Sequence, residues 1–336
     1  MERYKSSIPT CLYKLGFIAV ILCVPYIIRN LYYLHLINLI GIYCLVVIGL
    51  NILTGYTGQI SMGQAGFFAV GAYTSALLMM KLGLSFWVAT LIAAVVAAVL
   101  GIIIAIPALR LTGPYLVMAT VGFGEIIRLI LVNWVPVTRG AAGLTAIPAP
   151  SLFGFRIISE KSFFYLIYIV VALGILIAVR ISNSKIGRTF IAIREDELAA
   201  KSMGVPTNTY KVSAFAISAI YAGIAGSMFG CFSGVASPDA FTFNDSVGFL
   251  CMSIIGGSRS IYGAFIGSVT LTFVSELLRF MQLYRLIIYG AILLLTAILM
   301  PQGLSGMGPV FRKFSHRWKG KRRLHGNIQH SQRKER

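Results

Sequence analysis

The sequence predicts an all-α membrane protein whose chain crosses the bilayer many times. It contains 336 residues, of which 57% are hydrophobic and only 12% are charged. Its mean hydropathy is +0.84. A soluble domain carries about twice this charged fraction, because charged side chains must cover its surface. Apolar runs recur along the whole chain, and most of them approach the ~20 residues that a helix needs to cross a bilayer.

These runs predict about ten transmembrane helices. The first, about residues 15–28, is not followed by a small-residue cleavage site, so we interpret it as a span and not as a signal peptide. The other predicted spans are 34–54, 64–80, 85–107, 112–133, 162–180, 209–234, 242–256, 262–280 and 284–300. The run 242–256 is the shortest, and a re-entrant segment is compatible with the pair 34–54 and 64–80.

The distribution of Lys and Arg predicts the orientation, since cytoplasmic loops are enriched in both. A central loop at about 181–208 carries more cations than any loop on the other side, and the tail 311–336 is strongly basic. We therefore expect a single transmembrane domain, 1–310, with both termini in the cytoplasm. The Pro- and Gly-rich segment 134–161 then becomes an extracytoplasmic loop. The polar tail is expected to be disordered, with anionic lipid as its simplest contact.

Several classes of function are excluded by what the sequence lacks. No Gly-rich phosphate-binding motif is present, so the chain is not expected to be an enzyme that binds a nucleotide itself. The four histidines are not spaced with carboxylates as metal ligands, and the five cysteines form no Cys-x-x-Cys pair. The net charge of +19 resides in loops and tail and not in a stripe interleaved with aromatics. We expect no cofactor, metal or nucleic-acid partner.

The most polar stretch at membrane depth is residues 51–64, NILTGYTGQISMGQ. Glycines interrupt the helical pattern here, and freed backbone groups at such breaks are available to a transported substrate. A turn between two spans is the alternative interpretation. We take the polar side chains as candidates for the translocation path: Asn51, Tyr56, Thr57, Gln59, Ser61 and Gln64.

A second candidate for the path is Glu125, which lies within an apolar run. Ionisable residues inside a membrane are costly and are often functional. However, Arg128 follows at the i,i+3 position, where the two side chains can neutralise each other. Both interpretations stay open.

The central loop is predicted to contain one short helix. Glu195, Asp196 and Glu197 place negative charge in its first turn, and Glu197 is spaced to pair with Lys201. Gly204 ends the helix at the C′ position. Its exposed face is predicted to carry small or soft side chains that another protein can approach closely: Ala199, Ala200, Ser202 and Met203. A solvated connecting loop is the alternative.

Small residues recur every four positions in the run 209–234. Gly226, Gly230 and Gly234 continue this repeat, and Gly263 and Gly267 resume it later. Such a face allows close helix packing in a membrane. We interpret these glycines as packing residues.

Five motifs together resemble the membrane permeases of branched-chain amino-acid ABC importers. They occur in the family's order between about residues 40 and 304, and the form of the third motif is closer to LivM-type than to LivH-type permeases. The motifs are Gly55–Tyr73 (GYTGQISMGQAGFFAVGAY), Ala119–Arg128 (ATVGFGEIIR), Gly187–Gly204 (GRTFIAIREDELAAKSMG), Gly256–Gly263 (GGSRSIYG) and Met300–Gly303 (MPQG).

This resemblance implies a transport subunit in a bacterial inner membrane, with an importer fold of two inverted halves. Its implied partners are a LivH-type sister permease, two cytosolic ATPases that hydrolyse the ATP, and an extracytoplasmic binding protein. It also implies that the central loop is the ATPase-coupling segment: Arg194, Glu195, Asp196, Glu197, Leu198, Ala199, Ala200, Ser202, Met203 and Gly204. Leu198 stands where ABC importers broadly have Glu, with Glu197 one position earlier, so the docking geometry is expected to differ.

Three alternatives remain at this point. The same architecture serves urea and short-amide permeases, which share these motifs. An ion-driven secondary transporter would use Glu125 in a proton relay and would need no ATPase. A structural anchor without a pore is disfavoured by the polar stretch 51–64.

Overall fold

The computed structural model describes residues 25–26, 30–108, 111, 113–152, 155–277, 287–291 and 294. The helices in this part of the chain are α1 (Leu31–Leu50), α2 (Gln64–Leu82), α3 (Phe86–Ala108), α4 (Pro114–Asn133), α5 (Glu160–Asn183), α6 (Lys185–Glu195), α7 (Glu197–Ser202), α8 (Thr207–Ser233), α9 (Phe243–Gly256) and α10 (Ile261–Leu277). A π-helix, Asn51–Tyr56, continues α1, and Val135–Thr138, Gly140–Ala142 and Pro238–Ala240 are short helical turns. The strands are β1 (Leu144–Thr145), β2 (Ser151–Leu152), β3 (Phe155–Arg156) and β4 (Val235–Ala236).

The prediction of an all-α membrane protein with many spans is confirmed. In the described residues, six helices are long and apolar enough to cross a membrane: Leu31–Tyr56, α2, α3, α4, α5 and α8. The predicted spans 242–256 and 262–280 correspond to α9 and α10, which have only 14 and 17 residues. The predicted spans 15–28 and 284–300 lie largely outside the described residues, as do the motif Met300–Gly303 and the tail 311–336.

Helix α8 is the centre of the bundle, where it contacts α1, α2 and α3. It runs parallel to α2, because Gln64 hydrogen-bonds Ser218 and Met79 contacts Cys231. It runs antiparallel to α1, whose His35 ring stacks on Phe232. The members of this bundle therefore alternate in direction, as expected for a chain that crosses a membrane repeatedly.

Close approach between α2 and α8 depends on glycine. A Cβ on Gly226 would lie 2.0 Å from the carbonyl oxygen of Phe68, and one on Gly71 would lie 2.2 Å from that of Gly223. Gly230 is in ordinary contact with Ala72. Gly234 lies apart from this packed face, because it ends α8 in the left-handed conformation with no atom within 4 Å of its Cβ position.

Helices α9 and α10 form a second closely packed pair. A Cβ on Gly263 would lie 2.4 Å from the carbonyl oxygen of Gly256, and one on Gly267 would lie 1.9 Å from that of Met252. No larger side chain fits at either position without moving backbone. The two helices pack antiparallel.

The chain reverses inside the bundle twice. After the π-helix, residues 58–63 are non-helical, and α2 begins at Gln64. Gln64 lies at the same height in the bundle as Gly49 of α1, because Gln64 and Gly49 both contact Ser218. At 1.5 Å per helical residue, Gly49 lies roughly 10 Å from Tyr56 along the axis. Helix α2 therefore begins well inside the bundle.

The second reversal follows α8. The chain returns through β4 and the turn Pro238–Ala240, and Phe241 packs against Phe68 and Phe229. Helix α9 then begins with a capping box in which the backbone N–H of Thr242 donates to Asp245. The start of α9 meets the start of α2, because the Ala65 N–H donates to Ser246 Oγ at 3.0 Å.

The two ends of the bundle differ in structure. One end, here called the α6–α7 end, carries the π-helix, α6, α7 and the turn 257–260. The opposite end, here called the strand end, carries the segment 134–159. There β1 pairs antiparallel with β4 and β2 with β3. The β1–β4 pair connects the α4–α5 segment to the reversal between α8 and α9.

Candidate translocation and coupling site

Most polar side chains of the stretch 51–64 are buried, and the stretch largely satisfies its own hydrogen bonds. Thr54 Oγ1 donates to the carbonyl oxygen of Gln59 at 3.1 Å, and Gln59 Nε2 donates to Thr57 Oγ1 at 3.3 Å. Asn51, Ser61 and Gln64 are completely buried, whereas Tyr56 is half-buried. These bonds hold the break in one shape without help from solvent.

Asn51 connects this stretch to α9 and to the turn that follows it. Its Nδ2 donates to the carbonyl oxygen of Ser260 at 3.1 Å, and its Oδ1 accepts a hydrogen bond from Ser253 Oγ. Both halves of the amide are therefore engaged by protein. Asn51 links three elements at the α6–α7 end and is not free to bind a ligand in this conformation.

The start of α2 is held by polar side chains from three other helices. Met62 N–H donates to Thr120 Oγ1 of α4, Ala65 N–H donates to Ser246 Oγ of α9, and Gln64 Nε2 donates to Ser218 Oγ of α8 at 2.7 Å. Sequence reasoning did not select Thr120, Ser218 or Ser246 as site residues. Each is one small hydroxyl residue in an apolar helix, and nothing in the sequence distinguishes it from a packing residue.

Two buried acceptors in this cluster have no hydrogen-bond partner among the residues that the structure describes. They are Oε1 of Gln59 and Oε1 of Gln64, on side chains that are 6% and 0% exposed. A buried acceptor without a partner typically costs about 1–3 kcal/mol. Each of these oxygens can therefore accept one further hydrogen bond.

The Glu125 side chain forms its hydrogen bonds within its own helix. Its carboxylate accepts from Arg128 Nε at 3.0 Å and from Arg128 Nη2 at 2.6 Å, one turn away on α4. The two side chains remain 42% and 29% exposed. The structure therefore shows mutual neutralisation within one helix, although Gly124, next to Glu125, packs against Gly63 and Gly66 at the start of α2.

The central loop forms two helices and not one. Glu195 ends α6, Asp196 is extended, and α7 begins at Glu197. Asp196 is the N-cap of α7, since its carboxylate accepts from the Ala199 N–H at 2.9 Å. The prediction that all three acidic residues lie in one first turn is therefore wrong, because the cap requires a non-helical residue between the helices. Gly204 adopts the predicted left-handed conformation with φ of +79°.

The exposed face of α7 also differs from the prediction. Leu198 and Met203 are 77% and 84% exposed, and Ala199 and Ser202 are exposed as well. Ala200 is only 7% exposed, so its predicted exposure is wrong. The reason is that Ala200 faces the protein and accepts the N–H of Val205 as the chain leaves the helix.

Ion pairs anchor the same segment to neighbouring elements. Glu197 pairs with Lys211 of α8 at 2.5 Å, where the spacing had predicted a pair with Lys201. Glu195 pairs with Arg259 in the turn between α9 and α10. Since both partners lie outside the α6–α7 segment, these contacts connect it to two other parts of the bundle.

Arg194 connects the segment directly to the polar stretch. Its Nη1 donates to the carbonyl oxygen of Gly55 in the π-helix, and its side chain packs on Gly58. Burial lowers the pKa of the Arg194 guanidinium, Arg259 lowers it further, and Glu195 raises it. One charged hydrogen bond therefore joins the end of α6 to the break.

The part of the chain that the structure describes contains no cluster of His, Cys, Asp or Glu that would hold a metal ion. Residues 32–297 match the sequence model of a family described as "Branched-chain amino acid transport system / permease component". No solved structure matches the chain.

Curated relatives agree with this family match. The high-affinity branched-chain amino acid transport system permease protein LivM of Escherichia coli is 37% identical over 289 residues, which cover 79% of this chain and 68% of the relative. The LivH permease of Salmonella typhimurium is 30% identical, over 79% of this chain and 91% of the relative. A probable LivM permease of Methanocaldococcus jannaschii is 24% identical, over 80% of this chain and 92% of the relative.

Proposed function

Since the chain belongs to the family of branched-chain amino acid transport permease components, we propose that it is the LivM-type membrane subunit of an ABC importer. It would move branched-chain amino acids across a bacterial cytoplasmic membrane. The observation that carries the proposal is the family match over residues 32–297, together with 37% identity to an LivM permease. The chain itself would bind no cofactor and catalyse no reaction, and ATP would be hydrolysed by its partners.

The α6–α7 segment is the proposed docking element for an ATPase. Leu198, Ala199 and Met203 form an exposed apolar face on a helix that is capped at Asp196 and closed by Gly204. An exposed apolar face of this kind is typical of a surface that a partner covers. Ala200 would support this face from behind and would not contact the ATPase.

Force from the docked ATPase would reach the membrane by two routes. The first route would be the hydrogen bond from Arg194 to Gly55 in the polar stretch. The second would be the ion pair of Glu195 with Arg259, in the turn between α9 and α10. Both routes end next to Asn51, which joins the π-helix to that turn. Both routes would therefore act on the contact between the π-helix and this turn, and the movement of alternating access would begin at that contact.

The proposed translocation path runs past the start of α2. A helix N-terminus favours the carboxylate of an amino-acid substrate. The unpartnered oxygens of Gln59 and Gln64 would accept hydrogen bonds from its ammonium group. Thr57 and Ser61 belong to the same buried stretch. Glu125 contributes less to this proposal, since Arg128 already neutralises it.

The wider organisation of the importer is part of the same proposal. Residues 1–310 would form one domain of about ten spans, both termini would be cytoplasmic, and 311–336 would be a basic tail. The two halves would be inverted repeats: α1 and α2 with their buried break would correspond to α8 and α9 with theirs. The opposite directions of α1 and α8 support this relation.

The remaining partners would bind on other faces. A LivH-type sister permease would complete the path, and two ATPases would bind at the α6–α7 end. An extracytoplasmic binding protein would dock at the strand end, on the loop 134–161. That loop is ordered by two strand pairs, which supports a role beyond linking α4 to α5.

Co-purification tests the proposal. The tagged chain is expressed with its neighbouring transport genes and purified in mild detergent, and leucine uptake is measured after reconstitution. Leu198→Asp should release the ATPases and abolish uptake. The matched control is Leu82→Asp, which changes another strongly exposed leucine at the strand end and should preserve both. Purification of the chain as a homo-oligomer without ATPase would refute the assignment as an ABC importer subunit. Uptake of urea in place of leucine would refute the proposed branched-chain amino acid substrate.

A further inference from the structure

An open groove of 360 Å³ lies where α5 meets α6. Its wall is apolar along the last turns of α5, where Leu176 and Ile177 are 62% and 54% exposed. The lining residues are Leu176, Ile177, Arg180, Ile181, Ser184 and Ile186. Since α5 is long and apolar enough to span a membrane, the apolar part of the groove is suited to contact lipid chains.

The groove is shaped by a rigid corner between the two helices. Ser184 caps α6 by accepting the Gly187 N–H on its side-chain oxygen. A Cβ on Gly187 would lie 2.3 Å from the carbonyl oxygen of Ser182, so the first turn of α6 packs directly on the end of α5. The corner that shapes the groove is therefore closely packed.

Three cations lie at the corner between α5 and α6. Arg180 lines the groove. Lys185 and Arg188 belong to the first turn of α6, which begins next to the lining residues Ser184 and Ile186, and Arg188 Nη1 also donates to the carbonyl oxygen of Asn183. None of them forms an ion pair with any residue that the structure describes. The acidic residues that follow are engaged elsewhere: Glu195 with Arg259, and Glu197 with Lys211. The groove thus combines apolar walls with positive charge that has no counterion.

We propose that this groove binds one anionic phospholipid. An acyl chain would lie along Leu176, Ile177 and Ile186, and the phosphate would lie among Arg180, Lys185 and Arg188. Basic clusters at the end of a transmembrane helix select anionic headgroups, and each Lys or Arg there contributes about 1 kcal/mol of attraction. This site is separate from the basic tail, because all of its residues belong to α5, α6 and the residue between them.

The bound lipid would stabilise the angle between α5 and α6. Helix α6 ends at Arg194 and Glu195, the residues that contact Gly55 and Arg259. A lipid in this corner would therefore hold the segment that precedes α7. Lipid binding itself does not depend on the transport proposal, and it is measured on the purified chain without substrate or ATPase.

The experiment compares the lipids that remain bound to the purified full-length chain. The chain is held in mixed micelles with equal phosphatidylglycerol and phosphatidylcholine, and native mass spectrometry gives the ratio of the two lipids retained. The test variant is Arg180→Gln/Lys185→Gln/Arg188→Gln. The matched control, Lys81→Gln/Arg139→Gln/Lys161→Gln, removes the same charge at the strand end, and the tail is unchanged in both. A third variant, Ile177→Trp, fills the groove and leaves its cations in place.

We expect wild type to prefer phosphatidylglycerol, and the test variant to lose roughly tenfold or more of that preference. The control should keep the preference, and Ile177→Trp should lose it. Equal loss in test variant and control would overturn the site in favour of general attraction to net charge. An unchanged preference in Ile177→Trp would overturn the groove in favour of surface binding, and no preference in wild type would overturn the proposal altogether.

Discussion

Gly55 provides a sharp test of how the α6–α7 end is assembled. A Cβ at this position would lie 1.5 Å from the carbonyl oxygen of Ser258, where an ordinary contact begins near 3.4 Å. Gly55→Ala therefore requires the turn 257–260 to move by about 2 Å, because Gly55 is buried in the π-helix and the atom it meets is backbone. That displacement would separate Ser260 from Asn51 and weaken the bond between Arg194 and Gly55.

The expected loss of stability follows from these contacts. Forcing one extra carbon into a packed site typically costs about 1–3 kcal/mol. Losing the Asn51 hydrogen bond adds to this, because a buried amide without its partner typically costs about 1–3 kcal/mol. We expect the apparent unfolding temperature of Gly55→Ala to fall by several degrees.

The assay uses cysteines that are buried in the fold. Cys44, Cys231 and Cys251 are 0%, 4% and 1% exposed, so a thiol-reactive dye labels them only when the protein unfolds. Cys11 and Cys23, outside the described residues, are first replaced by Ser. Heating the purified protein with the dye then gives the unfolding temperature, and leucine uptake by the reconstituted importer reports function.

Gly122→Ala is the matched control for Gly55→Ala. Gly122 lies within α4 with no atom within 4 Å of its Cβ position. Alanine there should be neutral or stabilise the helix by roughly 0.5–1 kcal/mol. If Gly55→Ala unfolds at the wild-type temperature and transports normally, the turn 257–260 is not held against the π-helix, and the proposed coupling route is wrong.

The remaining predictions concern single contacts. Glu125→Gln and Arg128→Gln should each destabilise the chain more than the double variant does, because each single change leaves one charge unpaired in α4. If the losses of stability of the two single variants simply add in the double variant, as measured by the thiol assay, the ion pair is contradicted. Thr242→Ala should cost about 1 kcal/mol by removing the N-cap of α9, and an unchanged unfolding temperature would contradict this cap. Gln64→Leu should abolish leucine uptake and lower stability by about 1 kcal/mol, because it removes the buried hydrogen bond to Ser218 as well as the unpartnered acceptor; normal uptake would remove Gln64 from the path.

The sequence predicted the helices and the position of the polar stretch for clear physical reasons. Apolar runs long enough to span a membrane must be helical there, since the backbone has no other way to satisfy its hydrogen bonds. Glycines at 55, 58 and 63 marked the break, and Gly58 indeed adopts φ of +76°. The ion pair of Glu125 with Arg128 was one of two interpretations, and their i,i+3 spacing on one helix allowed it to be predicted.

The contacts between distant segments were not predictable in the same way. Ser218 and Thr120 contact the start of α2 only because α8 and α4 pack beside it. The sequence around a single hydroxyl residue does not indicate which distant residue it will contact. Ala200 was assigned to the wrong face of α7 because small residues suit both a docking surface and a packed interior. Asp196 was placed in a first turn, although the same residue is equally favourable as a cap.

The hydrogen bond from Asn51 to Ser260 also has a consequence for biosynthesis. The two residues are 209 positions apart in the chain. At a synthesis rate of roughly 5–20 residues per second, Asn51 leaves the ribosome about 10–40 s before Ser260 exists. During that time its amide needs water or another temporary partner. The location of the break near one end of α1, and not at its centre, lets the nascent helix enter the membrane before its permanent partners have been made.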